Sequence, residues 1–355
     1  MKCQKFETEK QEIKDFLSLP KMLYKKEENM ENEEEVKKLL IGKHPLNKYF
    51  HLDKFIIYKD QKPVARFIIT TYPKDKTAYL GFFECINDQK VAKFLFDQAY
   101  QFCKQKKLHK ITGPVDASFW LKYRLKTNLF EKLPYTGEPY NKDYYQQLFL
   151  ENKYKITNHY TSNIYPAINE KYKNELFDNR LETFKEKGYE ITSPDIKDYD
   201  KVLEELYELI TNLYSDFPIY KGINKEDFKQ IFSSYKQILN MNMVKMAYYK
   251  KKAVGFFISV PNYQNKPYHL NLKNILKILK IKRKPKEYVM LYMGVLKEHQ
   301  GLGKAMVGSI MEELRKNNLP SIGALARDGK LTQNYVQELI NNRYEYVLLE
   351  RKIDR

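Results

Sequence analysis

Apolar and polar positions along this chain follow two rhythms, and the same succession of rhythms occurs twice. Phe55-Ile56-Ile57-Tyr58 is an apolar run of strand type, Lys59 to Pro63 a polar turn, and Val64 to Thr71 a second run. Ala78 to Phe83 predicts a third strand. A helix is predicted next, from about Asp88 to Lys106, with Val91, Leu95, Ala99 and Phe102 at helical spacing. In the second half Val244 to Tyr249, a turn at Lys250-Lys251-Lys252, and Ala253 to Val260 predict the same hairpin. Tyr288 to Leu296 is the next strand, and Met306, Val307, Ile310, Met311 and Leu314 line one face of the helix after it. Each helix leads to a further strand, Lys110 to Thr112 in one half and Ser321 to Ala326 in the other, and helical segments precede each half.

Hairpin, strand, helix and strand, repeated, predict an α/β protein (α+β mixed) of two tandem domains with one plan, each a twisted mixed sheet flanked by helices. The expected domains are 1–170 and 171–355, joined through the polar stretch Pro166 to Asn179. Gly113 to Tyr145 is rich in turn residues and is expected to be irregular.

The halves differ at one point. Between strand and helix the second half has Gln300-Gly301-Leu302-Gly303-Lys304, whereas the first has Asn87-Asp88-Gln89-Lys90. A strand that enters a helix through G-x-G leaves bare N–H groups at a helix N-terminus, a site suited to phosphate or pyrophosphate. Asp88 is expected to crowd and repel such a group. One anion site is therefore predicted, in the second half.

Composition narrows the picture further. Apolar residues are 43% and charged residues 30% of the 355, the balance of a folded globular chain. No apolar run is long enough to span a bilayer, and the start of the sequence lacks a secretory apolar core, so a cytoplasmic protein is expected. Cys3, Cys85 and Cys103 are too few for a disulfide scaffold and form no C-x-x-C, and the histidines show no H-E-x-x-H spacing, so no metal site is expected. The formal charge of +18 favours anionic ligands. The basic residues are dispersed and match no nucleic-acid signature, which argues against nucleic acid as a partner while leaving tRNA open. Asn271 to Lys282 reads as a basic amphipathic helix in the long connection between two core strands. A lid, a membrane-surface contact and a simple sheet cover are all open for it.

The stretch from Val295 to Ala305 resembles motif A of the GCN5-related N-acetyltransferases (GNAT), Q/R-x-x-G-x-G/A. Gly301 and Gly303 fall on its glycines, and Glu298 stands at its first position. The whole chain also resembles an uncharacterised bacterial group with that fold in tandem. This likeness is carried by Leu19-Pro20-Lys21-Met22-Leu23-Tyr24, Gly81-Phe82-Phe83-Glu84 and Ile111-Thr112-Gly113-Pro114. The resemblance implies an acyl-CoA-dependent N-acyltransferase, with acetyl-CoA as cosubstrate and a small-molecule or protein amine as acceptor. It places cosubstrate binding at Met293, Gly294, Val295 and Leu296 on the strand, and at Gln300, Gly301, Leu302, Gly303, Lys304 and Ala305 in the loop. It also implies a tyrosine general acid on the last helix, for which Tyr335, seven residues beyond Asp328, is the candidate. No general base stands out, and His299 reads as a surface residue. Two alternatives stay open: an aminoacyl-tRNA-dependent transferase of the Fem kind, and a non-catalytic CoA-binding protein. Acceptor, acyl chain and oligomeric state are not written in the sequence.

Overall fold

The computed structural model describes residues 1–354. In chain order the elements are β1 (Lys2–Phe6), α1 (Lys10–Leu23), α2 (Glu33–Leu40), β2 (His51–Lys59), β3 (Lys62–Thr71), β4 (Thr77–Cys85), α3 (Gln89–Gln105) and β5 (Lys110–Gly113). Three short strands follow, β6 (Val115–Asp116), β7 (Lys122–Tyr123) and β8 (Leu125–Lys126), then α4 (Tyr145–Glu151) and β9 (Lys155–Ile168). The second half contains α5 (Glu175–Glu186), β10 (Tyr189–Thr192), α6 (Tyr199–Tyr214), α7 (Lys225–Phe232), β11 (Val244–Tyr249), β12 (Lys252–Pro261) and α8 (Leu272–Arg283). It closes with β13 (Tyr288–Val295), α9 (Leu302–Asn317), β14 (Leu319–Arg327) and β15 (Asn342–Lys352).

The chain divides into two compact units. Unit 1 comprises Met1–Pro134, Glu138–Tyr160 and Tyr344–Arg355, and unit 2 comprises Tyr135–Gly137 and Thr161–Arg343. The crossing lies within β9, between Tyr160 and Thr161. Most of β15 returns to unit 1, where Leu349 to Lys352 pair antiparallel with Gly113 to Lys110 of β5.

Unit 1 has the strand order β1-β2-β3-β4-β5-β15, antiparallel except for the parallel pair β4-β5. Unit 2 has the order β10-β11-β12-β13-β14, antiparallel except for the parallel pair β13-β14. From β1 to β5 and from β10 to β14 the sequences of pairings are the same, so the repeat in the apolar pattern is a repeat of topology. The parallel pair arises because a helix crosses over between its strands, α3 in unit 1 and α9 in unit 2. Each helix buries its apolar stripe on its own sheet. Val91, Leu95 and Ala99 pack with Phe67, Leu80 and Phe83 in unit 1. Met306, Ile310 and Leu314 pack with Ala247, Val254 and Phe257 in unit 2.

Tyr335 is not on a helix. It follows a single 3-10 turn, Leu331–Asn334, and has extended backbone. The Gly113–Tyr145 region is irregular as expected, apart from its three two-residue strands.

Candidate active site

The site in unit 2 begins with a fault in strand pairing. Ile258 of β12 faces Tyr292 and Ser259 faces Met290, so Leu291 is an extra residue without a partner. Such a bulge bends its strand and raises the local twist. On its other side β13 pairs with β14 only at Tyr288, Val289 and Met290; beyond Met290 no register with β14 continues. The two parallel strands therefore part after the bulge. Burial follows the parting: Tyr288 and Val289 are buried, whereas Met290, Leu291 and Met293 to Val295 are half-buried and Tyr292 is exposed. A central strand is normally covered on both faces, so this exposure marks an open cleft.

Alternation decides which backbone groups line that cleft. The Leu296 N–H donates to Val254 O across to β12 at 3.0 Å. Gly294, two residues earlier, shares that direction, and Met293 and Val295 face the other way. The Tyr214 hydroxyl of α6 donates to Met293 O at 3.2 Å, in agreement with this assignment. Of the four strand residues expected at the site, Met293 and Val295 thus turn their backbone groups to the cleft, while Gly294 and Leu296 are held by β12. Gly294 has a packing reason instead: a Cβ there would lie 2.6 Å from Leu213 Cδ1 and 2.8 Å from the Phe256 ring.

The glycine loop closes one end of the cleft. Gly301 is the residue before α9, at φ 90° and ψ −19°, a conformation that favours glycine, and no side chain caps the helix. Among the described residues no protein group accepts from the N–H groups of Gly301, Leu302 or Gly303, whereas Lys304 N–H turns back to Gly301 O at 3.1 Å. A Cβ on Gly303 would lie 2.8 Å from Met293 Cε and 3.2 Å from the Tyr335 hydroxyl. Gly303 is buried, with the Met293 side chain and the Tyr335 hydroxyl closing over it, and Tyr335 reaches it from the segment after β14. Burial raises the Tyr335 pKa, so its phenol keeps its proton. Leu302 and Ala305 are buried in the core and act through their backbone, and Gln300 is exposed.

Glu298 is exposed in the turn Lys297–His299 before the loop. His299 is half-buried rather than on the surface, because Tyr189 and Tyr249 form a stacked pair at 4.4 Å and both rings meet its imidazole. The Tyr189 hydroxyl and His299 Nδ1 lie 2.8 Å apart, so this ring is held as part of the loop's floor.

One basic residue was not legible in the sequence. Arg180 of α5 brings Nη1 to 3.5 Å from the position of a Cβ on Gly301. Its helix is seated firmly. Gly308 of α9 lets the Phe177 carbonyl approach to 2.7 Å of where a Cβ would sit, and Asp178 accepts two hydrogen bonds from Arg315, at 2.8 and 3.1 Å. A cation beside a bare helix N-terminus is a favourable seat for a phosphate.

Unit 1 has the same architecture, but its parted strands and helix start are occupied by the chain itself, leaving a small cavity lined by Phe83, Glu84, Pro114, Asp116 and Tyr145. β4 and β5 pair only from Thr77↔Lys110 to Tyr79↔Thr112, and β4 bulges against β3 between Ile68↔Gly81 and Arg66↔Glu84. The space between them is taken by the chain itself. A Cβ on Gly81 would lie 1.8 Å from Val115 O, and the Asp116 carboxylate accepts from Phe82 N–H. At the helix start Asp88 Oδ1 accepts from Lys90 N at 2.8 Å and Val91 N at 3.3 Å, and Lys59 lies 3.2 Å from its other oxygen. Asp88 does more than repel an anion; its carboxylate occupies the anion position. Around Glu84, Arg66 is fully buried and ion-paired to Glu31, and the Tyr145 hydroxyl donates to Glu84 at 2.6 Å. Among the described residues no group of acidic, His or Cys side chains is arranged to hold a metal ion in either unit.

No sequence-family model and no curated protein matches the chain. Solved structures do match its fold. One is a tandem GNAT protein from the clavulanic acid biosynthesis pathway, at 10% identity and TM-score 0.55, covering 100% of this chain and 99% of that one. Another is the GCN5-related glucosamine N-acetyltransferase region of a fungal multi-domain beta-N-acetylglucosaminidase, at 12% identity and TM-score 0.55. It covers 98% of this chain, which spans 38% of that longer protein. A third is a conserved protein from Enterococcus faecalis described as a probable N-acyltransferase, at 10% identity and TM-score 0.50, covering 99% and 72% of the respective chains. The fold is that of the GNAT superfamily, in its tandem form.

Proposed function

We propose that the protein is an acyl-CoA-dependent N-acyltransferase, with acetyl-CoA as the acyl donor, one donor site in unit 2 and an unidentified primary amine as acceptor. The observation that carries this reading is the contrast between the units. The same parted strands and helix start are occupied by Val115, Asp116 and Asp88 in unit 1, whereas in unit 2 β13 is only half-buried at Met293 and Val295 and no side chain caps the helix at Gly301.

The residues present fit such a donor. The bare amides of Gly301 to Gly303, with the Arg180 guanidinium beside them, would hold the pyrophosphate. The cleft-facing N–H groups of Met293 and Val295 and the Val295 C=O are the groups that an amide-bearing pantetheine arm would pair with, in the manner of an added strand, while the Met293 C=O is held by Tyr214. Holding donor and amine together lowers the entropic part of the barrier. The amine nitrogen bonds to the thioester carbonyl carbon, the C–S bond breaks, Tyr335 gives its phenolic proton to the departing sulfur, and the proton shed by the nitrogen passes to water and restores the phenol. Burial suits Tyr335 to that task, since its raised pKa keeps it an acid at neutral pH.

The test is titration calorimetry with acetyl-CoA and CoA, followed by thiol release from acetyl-CoA across a panel of amines. The reading requires binding of both and release that depends on at least one amine. Absence of CoA binding combined with salt-sensitive binding of bulk tRNA would instead support the aminoacyl-tRNA reading. Tight CoA binding with no amine-dependent release across small amines and lysine peptides would support a binding protein.

A further inference from the structure

The helix α8 carries an uncovered apolar face. Its N-terminus is fixed by Asn271, whose side chain accepts from Asn274 N–H, and its C-terminal turn is tied down by Lys282, which donates to Gln237 O at 2.8 Å. Ile278 is buried and turns one side of the helix to unit 2. At 100° per residue, Ile275, Leu279, Leu272 and Leu276 then fall in one arc of about 100° on the free side. These residues are 43%, 56%, 77% and 61% exposed, and the adjacent Leu270 is 65% exposed. Most of the large apolar side chains that unit 2 exposes are gathered in this one segment.

Charge identifies what covers it. Basic residues stand at 273, 277, 280, 282, 283, 284 and 286, with no Asp or Glu from 271 to 286. Lys273, Lys277, Lys280 and Lys284 share one arc of the helix, next to the apolar one. A second copy of the same face would bring like charges together without acids to answer them. A nucleic acid would use the lysines and leave four aliphatic side chains in water. A bilayer surface with anionic headgroups satisfies both arcs at once, with leucines at the acyl boundary and lysines among phosphates. We propose that α8 docks unit 2 on an anionic lipid surface, with the helix lying in the plane of the interface.

The experiment is co-flotation of the full chain with vesicles of phosphatidylcholine alone, or of three-quarters phosphatidylcholine and one-quarter phosphatidylglycerol. Two variants are compared. Leu272→Ser/Leu276→Ser/Leu279→Ser removes the apolar arc at exposed positions, and Lys273→Gln/Lys277→Gln/Lys280→Gln removes the charged one. Circular dichroism and melting temperature verify that both stay folded. The proposal requires the native chain to partition at least about tenfold more strongly to anionic than to neutral vesicles. It also requires the serine variant to lose that binding and the glutamine variant to lose the preference. Equal partitioning to both vesicles overturns it, as does serine-variant binding that matches the native chain. It is also overturned if, without vesicle binding, the native chain is a dimer that the serine variant dissolves, or binds tRNA and the glutamine variant does not.

Discussion

Replacing Gly301 by Asp tests the open helix start directly, because it sets a carboxylate at the corresponding point of unit 2. The exchange is not symmetrical with Asp88. Asp88 has extended backbone, φ −144° and ψ 110°, from which its carboxylate folds back on two amides, whereas Gly301 sits at φ 90°. An aspartate at 301 is strained by about 1–2 kcal/mol, and its charge points toward the anion seat without taking the cap. With the carboxylate about 5 Å from each phosphate and an effective dielectric of about 40, each charge pair costs about 1.7 kcal/mol. Two phosphates bring this to about 3 kcal/mol, more than about a hundredfold in Kd. Thermal unfolding with acetyl-CoA at about 100 times the native Kd is the assay. The donor stabilises the native chain by about 2.7 kcal/mol there, and the variant by about 0.3 kcal/mol. For a unit of this size the ligand-induced rise in Tm falls from about 5–10 °C to about 1 °C. Asp88→Ala is the matched control, costing about 1 kcal/mol as a lost cap with the acetyl-CoA response intact. Retention of the full rise in Gly301→Asp, or its disappearance in Asp88→Ala, would refute the assignment of the donor to unit 2.

Further outcomes follow from particular contacts. Tyr335→Phe lowers kcat by about 10²–10⁴ with acetyl-CoA affinity unchanged. Since burial raises this phenol's pKa, the alkaline fall of the native rate lies above the ordinary tyrosine value of about 10; an unchanged kcat removes Tyr335 from the chemistry. Gly308→Val forces a side chain against Phe177 O and costs about 1–3 kcal/mol in urea unfolding. It also weakens acetyl-CoA binding by displacing α5 and Arg180, and stability loss without that second effect would show that α5 does not serve the loop. Glu84, raised in pKa first by burial and opposed by Arg66, binds its proton more tightly folded than unfolded. Its contribution is full below the ordinary glutamate value of about 4.5 and is lost as pH rises through the folded pKa. Glu84→Gln therefore flattens the decline in unfolding free energy as pH rises above about 4.5, and an unaltered slope would assign that decline to other groups.

The repeat was legible because apolar runs and helical stripes are local signals. Val244 to Tyr249 and Tyr288 onward form strands where their pattern places them. The parting of β13 from β14 was not legible, because the bulge at Leu291 is a property of register and appears only once β12 lies alongside. Tyr214 and Arg180 reach the cleft from helices far away in sequence, each an ordinary residue of an amphipathic pattern. The filling of unit 1 was half legible: Asp88 could be seen to disfavour an anion, but Val115 and Asp116 enter the cleft through a turn with no periodic signal. Resemblance to a helical last segment placed Tyr335 on a helix, where a short 3-10 turn and extended backbone stand instead.

The return of β15 to unit 1 bears on how the molecule is made. Leu349 to Lys352 supply the strand beside β5, and Val347, Leu349 and Ile353 enter the unit 1 core. During synthesis this strand emerges after all of unit 2, so the half translated first is the half completed last. Until then β5 presents an open edge, the kind of surface that pairs wrongly with other chains. A chain cut after Arg343 would hold all of unit 2 and an unfinished unit 1, with β5 as its open edge.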